Sequence, residues 1–217
     1  ERTRKVNPKV NAIAGIDDRA ALAQADAADK QRAAAARAGD ALGSMHGVPL
    51  MHKDMYYRAG RVSACGSAIR KDFVPDYTST ALKALDTEGA LDIARLHMSE
   101  FAFGVTGHND VTGTARNPWN TDHMTGGSSA GSGAAVGARM CYGALGSDTG
   151  GSIRLPAACC GLVGMKPPYG RVSRHGAMPL AYSLDTVGPL TRTVRDNALM
   201  MRSMVGHDPM DPVTANH

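Results

Sequence analysis

Residues 126–132 read Gly-Gly-Ser-Ser-Ala-Gly-Ser, and residues 146–154 read Gly-Ser-Asp-Thr-Gly-Gly-Ser-Ile-Arg. Both segments concentrate hydroxyl groups among glycines, and both are flanked by apolar, helix-compatible residues. Glycine lets the backbone adopt positive φ angles and approach a ligand closely, and consecutive N–H groups in such a turn can converge on an anion. A serine that ends such a run, as Ser152 does, would lie beside donors that stabilise an oxyanion.

A flexible, solvent-exposed loop is the ordinary interpretation of a single Gly/Ser segment. Asp148 and Arg154 bracket the second segment, however, and could fix a buried turn by pairing their charges. A phosphate-binding loop fails on spacing, because Val136 stands where the dinucleotide pattern needs a small residue and no Gly-Lys-Ser/Thr follows either segment. We therefore favour structured turns that carry chemistry.

A nucleophilic serine needs a base, and histidine is the usual one. The eight histidines show no such arrangement, and His97 with Glu100 lacks the spacing of a zinc-binding helix. Lysine can replace histidine where burial or a neighbouring positive charge keeps it neutral near pH 7. Lys53 is the candidate, because it follows the short apolar segment 46–51, which is typical of a buried strand.

The rest of the chain alternates between predicted helices and strands. The alanine-rich residues 17–38 predict a surface helix that ends at Gly39, and Thr193 predicts the cap of a helix that ends at Gly206. Further expectations are a helix capped by Thr78 or Ser79 that runs through Leu85, close helix packing at 128–138, and strands at 90–96, 144–145 and 162–165. This alternation without an internal repeat predicts a layered α/β domain.

The composition is that of an ordinary soluble protein. With 217 residues, of which 43% are hydrophobic and 20% charged, the chain can bury a substantial core. Its net charge is +4, and lysine and arginine are spread along the chain, so we expect no direct nucleic-acid partner. The four cysteines form no C-x-x-C pair. Because the chain has no long apolar stretch and its charged start is unlike a signal peptide, we expect a cytoplasmic protein without membrane contact.

Taken together, these segments resemble the amidase signature family. The matching pieces are His46-Gly47-Val48-Pro49, Lys53-Asp54, Arg116-Asn117-Pro118-Trp119, the two glycine-rich segments, Pro156-Ala157, Cys160-Gly161, Gly164-Met165-Lys166-Pro167 and Ser183-Leu184-Asp185. They cover nearly the whole chain. The resemblance implies an α/β fold in which helices cover a mixed central β-sheet.

The resemblance also sets expectations for domain organisation. We expect a single amidase signature catalytic domain over residues 1–217, with an N-terminal helical segment at 1–40 and the catalytic core at 44–206. The tail from Asp208, with two prolines and little apolar content, predicts a loop. Family members normally continue well beyond this length, so the C-terminal part of the family fold, which supplies much of the substrate pocket, is expected to be absent from this chain.

The resemblance implies a Ser-cisSer-Lys triad, and the spacing of the three candidate residues matches that of the family. Lys53 would be the base, Ser152 the nucleophile and Ser128 the relay between them. In the family the relay serine typically precedes a cis peptide bond, which we expect here between Ser128 and Ser129. Supporting positions are also implied: oxyanion donors at Thr149, Gly150, Gly151 and Ser152, an acyl-pocket or core residue at Phe103, and loop-holding residues at Ser129, Asp148 and Arg154. No metal ion or organic cofactor is implied.

The implied activity is hydrolysis of the C–N bond of a small amide, with esters and carbamates as related substrates. An alternative is the glutaminase subunit of a tRNA-dependent amidotransferase, which would release ammonia for a partner protein. We favour the first because Ala177-Met178-Pro179-Leu180 precedes Ser183-Leu184-Asp185 as in free amidases. A non-catalytic scaffold is disfavoured because all three triad positions are filled. The expected partner is a small-molecule amide, and a homodimer remains open.

Overall fold

A central parallel strand flanked by two parallel neighbours organises the computed structural model, which describes residues 1–214. The sheet has the strand order β1-β3-β2-β4-β6-β5. Its strands are β1 (Ile13–Ile16), β2 (Pro49–Lys53), β3 (Leu91–Leu96), β4 (Gly143–Asp148), β5 (Val163–Gly164) and β6 (Thr186–Thr191). Strand β2 pairs in parallel with β3 and β4, and the other pairs are antiparallel. The predicted mixed sheet is confirmed.

Helices cover this sheet on both faces. They are α1 (Arg2–Val10), α2 (Asp18–Ala38), α3 (Thr80–Thr87), α4 (Ala130–Gly137), α5 (Arg154–Cys160) and α6 (Val194–Met204). Predicted ends are confirmed where local capping decides them: α2 ends at Gly39 in the left-handed conformation, and the Thr193 side chain accepts a hydrogen bond from the Asp196 N–H at the start of α6. Over residues 1–214, no helix has the length and apolar character needed to span a bilayer.

Two large apolar clusters and a small third one fill the space between the sheet and its helices. Leu50 belongs to the cluster under α3 and α6, whereas Met51 belongs to the cluster under α4. Successive side chains of a strand point to opposite faces, so Lys53, two residues after Met51, faces α4. Helix α4 packs closely because it is made of small residues: a Cβ on Gly131 would lie 2.4 Å from the carbonyl oxygen of Ala12.

Of the helices and strands, three were not predicted from the sequence: β1, α5 and β6. Strand β1 lies within the segment 1–40, which was expected to be helical, and it pairs with β3 at the edge of the sheet. Helix α5 contains Pro156 as its third residue, a position where the missing N–H has no intrahelical partner to lose. Strand β6 is fully buried although it contains Gly188 and Pro189, which weaken the local strand signal.

The tail from Asp208 forms turns up to Thr214, as predicted for a loop, and residues 215–217 lie outside the described part of the chain. Asp208 accepts hydrogen bonds from the hydroxyls of Thr80 and Ser173, at 2.6 and 2.5 Å. Three residues later, Asp211 forms an ion pair with Arg174 at 2.7 Å. The tail is therefore anchored to the body of the domain.

Candidate active site

Lys53 ends β2 and is completely buried. Its Nζ donates hydrogen bonds to the Oγ atoms of Ser128 at 2.6 Å and of Ser147 at 2.9 Å. Burial lowers the pKa of Lys53 to about 7, and nearby acidic groups oppose this only in part. The amine therefore exists partly in its neutral form near pH 7, in which it can accept a proton.

Ser128 is also fully buried, and it follows a cis peptide bond between Gly127 and Ser128. The prediction that this bond joins Ser128 to Ser129 is wrong by one residue. Gly127 lies tightly against neighbouring backbone, where a Cβ would come within 2.6 Å of the Gly107 nitrogen. Glycine therefore precedes the serine for a steric reason that only the folded chain displays.

Ser129 links three segments of the chain around Ser128. Its Oγ accepts a hydrogen bond from the N–H of Ser147 at 3.3 Å and donates one to the carbonyl of the same residue at 3.4 Å. Its backbone N–H donates to the carbonyl oxygen of Ser152 at 3.4 Å. These contacts join the start of α4 to β4 and to the turn that carries Ser152.

Asp148 organises the turn between β4 and α5. Its fully buried carboxylate accepts hydrogen bonds from the backbone N–H groups of Gly151, Ile153 and Arg154, at 2.7, 3.1 and 3.3 Å. The Arg154 guanidinium adds two more bonds, at 3.0 and 2.9 Å. Burial alone would raise the pKa of Asp148, but these donors outweigh it and hold the pKa below its ordinary value.

Ser152 lies in this turn with a partly exposed side chain. Within residues 1–214, its hydroxyl has no hydrogen-bond partner. The space next to Gly150 is open, since a Cβ there would meet no heavy atom of these residues within 4 Å. On the other side of the turn, the Thr149 hydroxyl donates to the Asp185 carboxylate at 2.6 Å. Ser152 thus lies in a turn that the Asp148 and Asp185 carboxylates anchor.

The N–H groups predicted to bind the oxyanion differ in whether another group already accepts their hydrogen bond. The Gly151 N–H is bound to the Asp148 carboxylate at 2.7 Å, so the expectation that it is a free donor is corrected. A carboxylate holds an N–H group more strongly than a neutral oxygen does, which explains why this donor points into the turn. The N–H groups of Thr149, Gly150 and Ser152 remain the candidates for binding an oxyanion.

Phe103 is 82% exposed, so its alternative assignment to the core is wrong. It follows a short 3-10 turn at Glu100–Ala102, where Phe101 and Ala102 have positive φ angles of 49° and 63°. Its assignment to an acyl pocket stays a prediction.

Ser147 is the main site residue that the sequence analysis missed. It stands at the end of β4, and its Oγ is the second acceptor for the Lys53 amine. Its nearness to Lys53 follows from the parallel pairing of β2 with β4, which brings the ends of both strands to the same edge of the sheet, where ligands commonly bind. Asp185 was quoted only as part of a motif, and its bond to Thr149 could not be foreseen.

The family model described as Amidase matches residues 1–217. This chain belongs to the amidase family. A curated relative, a glutamyl-tRNA(Gln) amidotransferase subunit of Pelobacter propionicus, is 45% identical over 216 residues, which are 100% of this chain and 44% of the relative. The chain thus spans less than half the length of such relatives.

Solved structures agree with the family assignment. The native peptide amidase of Stenotrophomonas maltophilia superposes with a TM-score of 0.92 at 35% identity, covering 100% of this chain and 45% of that one. A structure described as a vestigial protein complex that reveals the origins of an s-triazine catabolic enzyme superposes with a TM-score of 0.94 at 38% identity, covering 99% of this chain and 46% of that one. The mixed sheet with its covering helices is therefore the fold of this family.

Proposed function

We propose that this chain carries the catalytic centre of a serine amidohydrolase that cleaves the C–N bond of a small linear amide through an acyl-enzyme. The observation that carries this proposal is the buried amine of Lys53, which lies 2.6 Å from the Ser128 hydroxyl and has a pKa lowered to about 7. Within residues 1–214 this lysine forms no ion pair. A buried, perturbed amine of this kind suits a catalytic base better than a structural cation.

In the proposed first step, neutral Lys53 takes the proton of Ser128 while Ser128 takes the proton of Ser152. The Ser152 Oγ then forms a bond to the substrate carbonyl carbon, and the carbonyl oxygen becomes an oxyanion. Backbone N–H groups of Thr149, Gly150 and Ser152 stabilise that charge, and loss of one such donor typically costs about 3 kcal/mol of transition-state stabilisation.

The C–N bond breaks in the second step, as Ser128 delivers its proton to the leaving nitrogen and recovers one from protonated Lys53. Water then hydrolyses the acyl-enzyme by the same relay in reverse. The Ser152 hydroxyl is unpaired within residues 1–214, and catalytic hydrogen bonds often close only when substrate is bound. We therefore expect the Ser152 Oγ to meet Ser128 in the substrate complex.

Alanine substitutions test this assignment. We expect Ser152→Ala and Lys53→Ala each to lower kcat for amide hydrolysis by about 10⁴-fold, because each removes an indispensable member of the relay. A control is Ser132→Ala, since Ser132 lies in α4, is as completely buried as Lys53, and donates its hydroxyl to the carbonyl of Leu145 rather than to the relay. The control should keep most of its activity. Substantial activity in purified Ser152→Ala would overturn the assignment.

A second candidate function is the release of ammonia from glutamine for a partner protein. The 45% identity to an amidotransferase subunit supports it, whereas the similarity to a peptide amidase supports hydrolysis without a partner. The distinguishing assay offers amides, esters, carbamates and glutamine to the full-length protein, with and without a candidate partner. Hydrolysis of a simple amide by the protein alone supports the first function. Glutaminase activity that appears only with the partner supports the second.

A further inference from the structure

A cavity of about 410 Å³ lies next to the lysine end of the candidate site. Ser147 connects the two, because it lines this cavity and its Oγ accepts a hydrogen bond from Lys53 at 2.9 Å. The volume is within the range of pockets that hold small organic ligands. A second cavity of about 250 Å³, around His52 and Asp92, has no triad residue among its lining residues. We call these the Ser147 cavity and the His52 cavity.

Aromatic and thioether side chains form one wall of the Ser147 cavity. Tyr57 and Tyr77 meet edge to face with their ring centroids 5.5 Å apart, and Tyr77 stacks on His175 at 5.1 Å. Met55 and Met178 also line the cavity. Aromatic rings favour stacked or edge contacts with flat groups, and methionine adapts to irregular apolar shapes. The wall is therefore suited to an aromatic or otherwise flat apolar group.

The carboxylates and the guanidinium that line the Ser147 cavity are already bonded. Arg174 and Asp211 pair with each other at 2.7 Å. Asp185 accepts the hydroxyl of Thr149 and the backbone N–H groups of Leu180 and Ala181. A charged ligand group entering the cavity would lose its hydration without gaining a free partner, and such burial is costly. The cavity is therefore suited to an uncharged group.

We propose that the Ser147 cavity is a subsite for an uncharged aromatic or flat apolar group of the amide substrate. This inference rests on the proposed amidase function and narrows its substrate class to aryl and arylalkyl amides. Glutamine carries an ammonium and a carboxylate, and among the described residues that line this cavity neither group finds an uncommitted charged partner. The subsite thus favours a free amidase over a glutaminase.

The test narrows the cavity and measures selectivity in the full-length protein. Ala177 lines the Ser147 cavity, and Ala177→Leu adds apolar volume to it. We expect the ratio of kcat/KM for benzamide or acetanilide to kcat/KM for acetamide to fall about tenfold, the effect that small changes of pocket volume produce. Ala21→Leu, the same change in the His52 cavity, should leave the ratio unaltered.

Several outcomes would overturn the subsite. One is an unchanged ratio in Ala177→Leu for both aromatic substrates, and another is an equal loss for all three amides. If Ala177→Leu does not fold, Met178→Ala serves instead, and it should raise KM for the aromatic amides more than KM for acetamide. Absence of hydrolysis by the parent protein counts against the proposed function alone. Calorimetric titration of benzamide into Ser152→Ala, with and without Ala177→Leu, then still tests the cavity, because weaker binding in the double variant supports it and equal binding refutes it.

Discussion

For Lys53, burial rather than ion pairing decides the protonation state of the side chain. Its amine contacts two hydroxyl groups, and within residues 1–214 no carboxylate lies at ion-pair distance from it. Hydroxyl oxygens compensate an ammonium less than a carboxylate would, so the loss of hydration dominates. The result is a pKa of about 7, well below the ordinary value for lysine.

The pH dependence of the reaction follows from this pKa. We expect kcat/KM for a neutral amide to rise with pH through about 7 and then to level off, because only the neutral amine of Lys53 accepts the proton. A pH–rate profile between about pH 5 and 9 measures this. Lys53→Arg keeps a permanent charge and should be inactive throughout. A profile that falls as the pH rises through 7 would contradict the role of Lys53 as base.

Ser147 supplies a second prediction at this scale. Ser147→Ala removes an acceptor 2.9 Å from the amine, so the charged form of Lys53 loses support and its pKa should fall further. We expect the midpoint of the pH–rate profile to move to lower pH and kcat to fall about tenfold with little change in KM. Ser147→Thr keeps the hydroxyl and should restore the profile. An unshifted midpoint in the alanine variant would refute the positioning role of Ser147.

Among the elements, the turn from β4 into α5 depends on one carboxylate. Asp148 accepts hydrogen bonds from three backbone N–H groups and from the Arg154 side chain, and these bonds hold the turn that carries Ser152. Helix α5 has only seven residues, too few to be stable by itself, and it ends at Gly161 in the left-handed conformation. The geometry of the nucleophile turn is therefore set by bonds to Asp148 more than by helix propensity.

Asp148→Asn tests this dependence. The amide keeps the shape of the side chain but loses its charge and replaces one acceptor oxygen with a donor. We expect the free energy of unfolding to fall by about 2–3 kcal/mol and kcat to fall with it, measured by urea denaturation and amide hydrolysis. Arg154→Gln removes a partner that is 56% exposed and should cost less than about 1 kcal/mol. If Asp148→Asn were as stable as the parent, the bonds to Asp148 would not be what holds the turn.

For the whole molecule, the parallel pairing of β2 with β4 is what assembles the site. It brings Lys53 and Ser147 to the same edge of the sheet, and the packing of α4 against the β2 face beside them delivers Ser128. Burying the Lys53 amine lowers the free energy of unfolding of the whole domain. That cost depends on pH, because the folded and unfolded chains bind the Lys53 proton differently.

Lys53→Met makes this cost measurable. The unfolded chain holds the Lys53 proton up to about pH 10.4, whereas the folded chain releases it at about 7, so between these values the unfolded state binds more protons. The stability of the parent should therefore rise relative to Lys53→Met by about 2 kcal/mol between about pH 7 and 9. Urea unfolding of both proteins at several pH values measures the difference. A difference that is constant with pH would contradict the lowered pKa.

Interactions between residues close together in the sequence were enough to predict some helix ends and the family of this protein. Helix α2 was predicted to its end at Gly39 and α6 to its cap at Thr193, because capping bonds join residues only a few positions apart. Family membership was also readable, because the motifs around Lys53, Ser128 and Ser152 survive as short patterns with fixed spacing.

Only the tertiary structure decided how those residues are arranged. It placed the cis bond before Ser128, committed the Gly151 N–H to Asp148, and supplied Ser147 as a partner of Lys53. The tertiary structure also contains β6 and α5 although each includes a proline, since burial against the sheet overrides weak local propensity. The physical reason is common to all of these. Desolvation and backbone crowding depend on atoms that are distant in the chain, and folding alone brings them together.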